Sequence, residues 1–79
     1  MVEAYVLIQA KPGPAGQEVS KEVATIKGII SAEDVSGPYD VIARAQAANL
    51  DELAKRVVAR IQLLDGVTRT LACPVMHLE

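Results

Sequence analysis

The chain stops a helix twice with one four-residue pattern, Ile26-Lys27-Gly28-Ile29 and then Leu64-Asp65-Gly66-Val67. In each, a glycine follows an apolar stripe and an apolar strand begins directly after it, which is how helices are commonly ended. A chain that runs through strand, helix and strand twice has few ways to fold.

The flanking segments complete the pattern. Ala4 to Ala10 is rich in β-branched and apolar residues and is followed by the breaker Lys11-Pro12-Gly13-Pro14, so it reads as a strand. Pro14 suits a first helical turn, and Val19, Val23 and Ile26 recur at helical spacing while Glu18, Lys21 and Glu22 fall elsewhere on the wheel. Ile29 to Val35 reads as strand, Ser36-Gly37-Pro38-Tyr39 as turn, and Asp40 to Ala47 as strand again. Asn49 followed three residues later by Glu52 predicts a capped helix start. Leu50, Leu53, Ala54, Val57, Ile61 and Leu64 form that helix's expected buried stripe, with Asp51, Glu52, Lys55, Arg56 and Arg60 on the wet side. Val67 to Cys73 is the last strand, and Pro74 ends its regular pairing or marks an edge.

Right-handed crossovers then place both helices on one face of the sheet. The expected fold is α+β: a ferredoxin-like βαββαβ domain with a four-stranded antiparallel sheet and two helices on one face. Residues 1–79 form one domain, since this length suffices for no more. A domain of this size buries only about 60% of its unfolded surface, so a partner copy would help it. The first strand points Tyr5 and Leu7 one way and Val6 and Ile8 the other, so both of its faces want covering. One set of residues goes under the helices, and a second copy covers the other set, sheet face against sheet face. At least a homodimer of the obligate size class follows.

Composition excludes several functions. Lys plus Arg total 8 and Asp plus Glu total 10, a net charge of −2 without a basic stretch, so direct nucleic-acid binding is not expected. The single cysteine allows no internal disulfide and no cysteine-based metal site, and fits a cytoplasmic setting. No apolar run is long enough to span a bilayer, and the start of the chain lacks the basic region of a signal peptide. No metal or cofactor is called for. Cys73 reads as a small core residue, His77 as a solvated tail residue, and Arg44 as either a buried pair or an exposed charge. Neither Cys73 nor His77 has a visible nucleophilic or metal partner.

Val35-Ser36-Gly37-Pro38-Tyr39-Asp40 resembles the V-x-G-x-Y-D hairpin of the Lrp/AsnC amino-acid-responsive regulators. Asp51-Glu52-Leu53 fits the same pattern, and Gly66-Val67-Thr68-Arg69-Thr70 resembles that family's G-V-x-x-T start of the last strand. The likeness runs from Ala4 to about Met76 and concerns only the family's C-terminal effector module, often called RAM. The family's DNA-binding half has no counterpart in this sequence, so the resemblance implies a stand-alone effector module. It also implies a dimeric α/β barrel, association of dimers into rings, and an amino-acid effector bound at the interface between dimers. It further implies Gly37, Tyr39, Asp40 and Thr70 as ligand-binding residues.

The chemistry is consistent with those roles. Gly37 permits close backbone approach, Asp40 can pair with a ligand ammonium, turn amides can receive a carboxylate, and Thr70 offers a hydroxyl. The same residues also serve as ordinary hairpin residues, with Asp40 capping the turn and Tyr39 packing at an interface. The sequence departs from the family at Ala72, where many members carry a second hydroxyl residue, and places Pro38 at the variable turn position.

Three functions stay open at this point. One is an amino-acid or small-metabolite sensing and oligomerisation module, acting through its own assembly or by joining a full-length Lrp/AsnC regulator. Another is a small dimeric α/β-barrel enzyme of monooxygenase or isomerase type, which usually needs a positioned His, Asn or aromatic cluster; this chain has one His and no Phe or Trp. The third is a purely structural assembly subunit, which only Ala72 favours.

Overall fold

A computed structural model describes residues 1–76; His77 lies outside the described residues. Strands β1 (Val2–Ala10), β2 (Ile29–Asp34), β3 (Val41–Ala47) and β4 (Val67–Pro74) form one sheet in the order β2-β3-β1-β4. All three pairings are antiparallel. The first crossover carries two short helices, α1 (Pro14–Gln17) and α2 (Val19–Ala24), where the sequence predicts one. The second carries α3 (Leu50–Glu52), a π-helical segment Leu53–Val58 and α4 (Ala59–Gln62). This is the expected ferredoxin-like βαββαβ arrangement.

The register decides which side chains meet the helices. Ala4, Val6 and Ile8 of β1 stand opposite Ala45, Ala43 and Val41 of β3, and all six are buried. Val19 and Val23 of α2 and Leu53, Val57 and Ile61 of the second helical layer close over them. The core is built from Ala, Val, Leu and Ile, whose full burial stabilises by about 1.5–3 kcal/mol for each of the larger side chains. It is one thin layer deep.

Local signals set the element ends. Asn49 Oδ1 accepts the Glu52 amide at 2.9 Å, which starts the second helical layer at the expected residue. Both four-residue stops close alike: the Ile29 amide donates to the Ile26 carbonyl and the Val67 amide to the Leu64 carbonyl, each at 3.1 Å. Their glycines differ. Gly28 has a positive φ of 101°, the left-handed turn expected of such a stop. Gly66 has none; it is buried, and a Cβ there would collide with the Ala15 carbonyl oxygen. Ala54, expected in the buried stripe, is exposed, and so is Leu50, at 55%. Leu50 is the first helical residue, directly after the exposed Ala48 and Asn49, and lies outside the core that begins at Leu53.

Candidate functional site

The β2–β3 hairpin is fastened to the end of β1 by three interactions besides its own closure. The Val35 amide donates to the Asp40 carbonyl at 2.9 Å and closes the hairpin. The Asp40 amide donates to the Ile8 carbonyl at 2.9 Å, continuing the β1–β3 ladder past Val41. The Ala10 amide donates to Asp40 Oδ2 at 2.7 Å, and Gln9 Nε2 donates to the Pro38 carbonyl at 3.1 Å. Among the described residues, Asp40 Oδ1 takes no hydrogen bond. Gly37 has φ 138°, a conformation that favours glycine, and among the described residues nothing but its chain neighbours lies within 4 Å of where its Cβ would be. The backbone of the turn is thus open to an approaching molecule. Tyr39 is half-buried.

Thr70 is at the same end of the sheet but not in the hairpin. Ile8 pairs with Val41 on one side and Thr70 on the other, so the three form one row across the sheet. Ile8 faces the helices, and so does Thr70, whose Oγ1 accepts Gln62 Nε2 at 3.0 Å. Within one chain Gly37, Tyr39 and Asp40 come together, while Thr70 is separated from them by β1 and occupied by Gln62.

A cleft of about 340 Å³ opens beside the hairpin, between Asp40 and the segment from Lys11 through α1 to Gln17. Of the four expected site residues Asp40 alone lines it. Lys11 lines it too, its ammonium reaching Asp65 at 3.9 Å and staying 48% exposed. The segment is shaped by close packing, because a Cβ on Gly16 would strike the Lys11 carbonyl oxygen. The sequence marks Lys11-Pro12-Gly13-Pro14 only as a breaker, which leaves Lys11 out of the site, and Gln9 and Gln62 belong to no motif. The signal available was the return of glycine at Gly16, inside a segment otherwise suited to helix.

The sheet face away from the helices is apolar at its centre. Tyr5 pairs with Cys73 and with Arg44, and Leu7 with Leu71 and with Ile42. Tyr5 and Leu71 are 43% and 48% exposed. Cys73 is exposed on this face, which corrects its reading as a core residue: β4 is an edge strand, and its register with Tyr5 turns the thiol away from the helices. Arg44 resolves as a half-exposed pair, its guanidinium 2.7 Å from Glu3 Oε1 and 5.9 Å from the Tyr5 ring centroid. The hydrogen bond to Glu3, and then the charge of that carboxylate, hold the guanidinium pKa above the usual arginine value, so Arg44 stays charged. Among the described residues no group of three or more His, Cys, Asp or Glu side chains is placed to hold a metal ion, and no helix is long and apolar enough to cross a membrane.

The ferredoxin-like sheet carries an open turn and a charged cleft at one end, and its sequence assigns it to a class of ligand-binding regulatory domains. Residues 3–78 match the family model of the Lrp/AsnC ligand binding domain, and the chain belongs to that family. It is 33% identical over 70 residues to an uncharacterized HTH-type transcriptional regulator of Pyrococcus furiosus, covering 86% of this chain and 47% of the regulator. The chain spans about half the length of the curated regulators it matches. The crystal structure of TTHA0845 from Thermus thermophilus superimposes with a TM-score of 0.87 at 28% identity, covering 100% of this chain and 98% of that one. The transcriptional regulator NMB0573 of Neisseria meningitidis, solved as an L-Met complex, has the same fold, with a TM-score of 0.84 at 14% identity over 96% of this chain and 50% of that one.

Proposed function

We propose that this effector-sensing module binds a free amino acid at the hairpin end of the sheet and oligomerises through the uncovered sheet face. The observation that carries the reading is the pairing of charges at one cleft. Among the described residues Asp40 keeps one carboxylate oxygen unengaged, and Lys11, its ammonium 3.9 Å from Asp65, lines the same cleft. A carboxylate for an ammonium and an ammonium for a carboxylate are what the head of a free amino acid requires. Gly37 and Tyr39 stand outside the cleft itself and offer the adjoining turn to a ligand that reaches beyond it, and the Thr70 hydroxyl is supplied by another copy. The L-Met complex of the Neisseria protein supports the amino-acid class of ligand.

Thr70 is out of the hairpin's reach within one chain, which favours a site completed by another copy, at the interface between dimers. The apolar centre of Tyr5, Leu7, Ile42 and Leu71 suits a homodimer of barrel type, and such dimers close into a ring. Partnership with a full-length Lrp/AsnC regulator through the same faces is part of this reading; catalysis and direct contact with nucleic acid are not.

A thermal-shift screen against the proteinogenic amino acids tests it. A ligand at a hundredfold excess over its Kd stabilises by about 2.7 kcal/mol, which moves the melting point of so small a domain by many degrees. No shift with any amino acid at millimolar concentration refutes the reading.

A further inference from the structure

A second concavity, of about 550 Å³, lies at the end of the sheet opposite the hairpin, where β2 begins and β3 runs into the second helical layer. Lys27, Arg56 and Arg60 line it, together with Gly28 and Asn49. Its one carboxylate, Glu52, is engaged by Arg56 Nε. Among the described residues neither Lys27 nor Arg60 has a carboxylate within 4.0 Å. Three cations against one anion around a single hollow repel one another, and such a hollow concentrates small anions. This excess is local, since the whole chain carries −2.

The backbone maintains the arrangement. The Gln46 amide donates to the Gly28 carbonyl at 2.8 Å, which fixes the rim. A Cβ on Gly28 would lie 2.9 Å from Val57 Cγ2, so the glycine lets the second helical layer sit tightly against the start of β2. That layer is π-helical from Leu53 to Val58, and the Ala59 amide reaches back five residues to the Ala54 carbonyl. The wide turn carries Arg56 and leads into Arg60, and π-helical turns recur at functional sites.

We propose that this basin is a second ligand site, for a small metabolite bearing two negative charges, a phosphate monoester or a dicarboxylate. Arg60 and Lys27 meet the charge, Arg56 adds its free guanidinium nitrogens, and Asn49 has its side-chain amide to donate. The volume suits a metabolite. The site is separate from the hairpin cleft and stands whether or not an amino acid binds there.

The test is an amide-resolved NMR titration of the full chain with inorganic phosphate and, separately, succinate, with ionic strength held constant by chloride. Saturable shifts at Lys27, Gly28, Arg56 and Arg60 are expected with at least one probe, and the probe that saturates first identifies the acid class. Lys27→Gln with Arg60→Gln is expected to weaken that binding about tenfold or more, while leaving the remaining amide positions unchanged. Both side chains are exposed, so the double variant keeps the core. Arg60→Gln alone gives an intermediate loss. Shifts that do not saturate with either probe, or that persist unchanged in the double variant, overturn the proposal.

Discussion

Asp40 holds the end of β1 by accepting the Ala10 amide on Oδ2 at 2.7 Å. Bracing the turn and binding a ligand are the two roles that its sequence position leaves open. The structure gives Asp40 two oxygens and engages only one of them in the brace, so both roles fit one side chain.

The two roles separate in a pair of variants. Asp40→Asn retains an oxygen for the Ala10 amide and loses the charge, so it is expected to keep the melting temperature and to weaken amino-acid binding by about 1.5–3 kcal/mol. Asp40→Ala loses both and is expected to cost a further ~1 kcal/mol of stability. Calorimetry and thermal melts on the two proteins check this. Affinity unchanged in Asp40→Asn removes the ligand role.

The uncovered sheet face gives the second expectation. Leu71 stands beside Leu7 at its centre and is 48% exposed in the single chain. Leu71→Asp places a carboxylate where a partner sheet is proposed to pack, and burying an unpaired charge is costly. Light scattering is expected to show the wild type as at least a dimer at micromolar concentration and Leu71→Asp as a monomer with native circular dichroism. A monomeric wild type refutes the proposed interface.

Legibility in the sequence followed the range of the interactions. Asn49 was readable as a cap and Gly28 as a left-handed stop because both act within one turn of chain. Gly66 was readable as a stop but not for its actual reason, its contact with Ala15 some fifty residues earlier in the chain. Cys73 reads as a core residue in the sequence because the end of β4 carries small or apolar residues on both sides. Only the register with Tyr5 and Val6 separates Leu71 and Cys73 from Thr70 and Ala72. The hairpin of the candidate site is visible as turn chemistry, whereas Lys11 comes beside it only through folding, and Gln62 reaches Thr70 in the same way on the other side of β1.

Gly66 supplies a third expectation. A methyl group there meets the Ala15 carbonyl oxygen and lies 2.7 Å from Val19 Cγ2, and the Gly66 carbonyl itself accepts the Lys11 amide at 2.7 Å. Gly66→Ala is therefore expected to destabilise by about 1–3 kcal/mol through overpacking. Urea denaturation measures the loss, and a change within experimental error contradicts the tight contact.

The Glu3–Arg44 pair supplies the last. In a single chain it is half-exposed, and such a pair contributes little to stability. If two sheet faces close over it, the pair loses its water, and removing one partner leaves an uncompensated charge inside the interface. Arg44→Met alone then leaves the Glu3 carboxylate buried, and the dimer dissociation constant is expected to rise about tenfold or more. Adding Glu3→Gln removes the stranded charge and should restore most of the association, because an apolar or neutral pair of similar size replaces a buried ion pair at little cost. Analytical ultracentrifugation of both variants reads the two constants directly. A face that stays in water predicts no change in either, because the carboxylate keeps its hydration when Arg44 is gone. Equal dissociation constants for wild type, single and double variants would place the dimer contact elsewhere on the molecule.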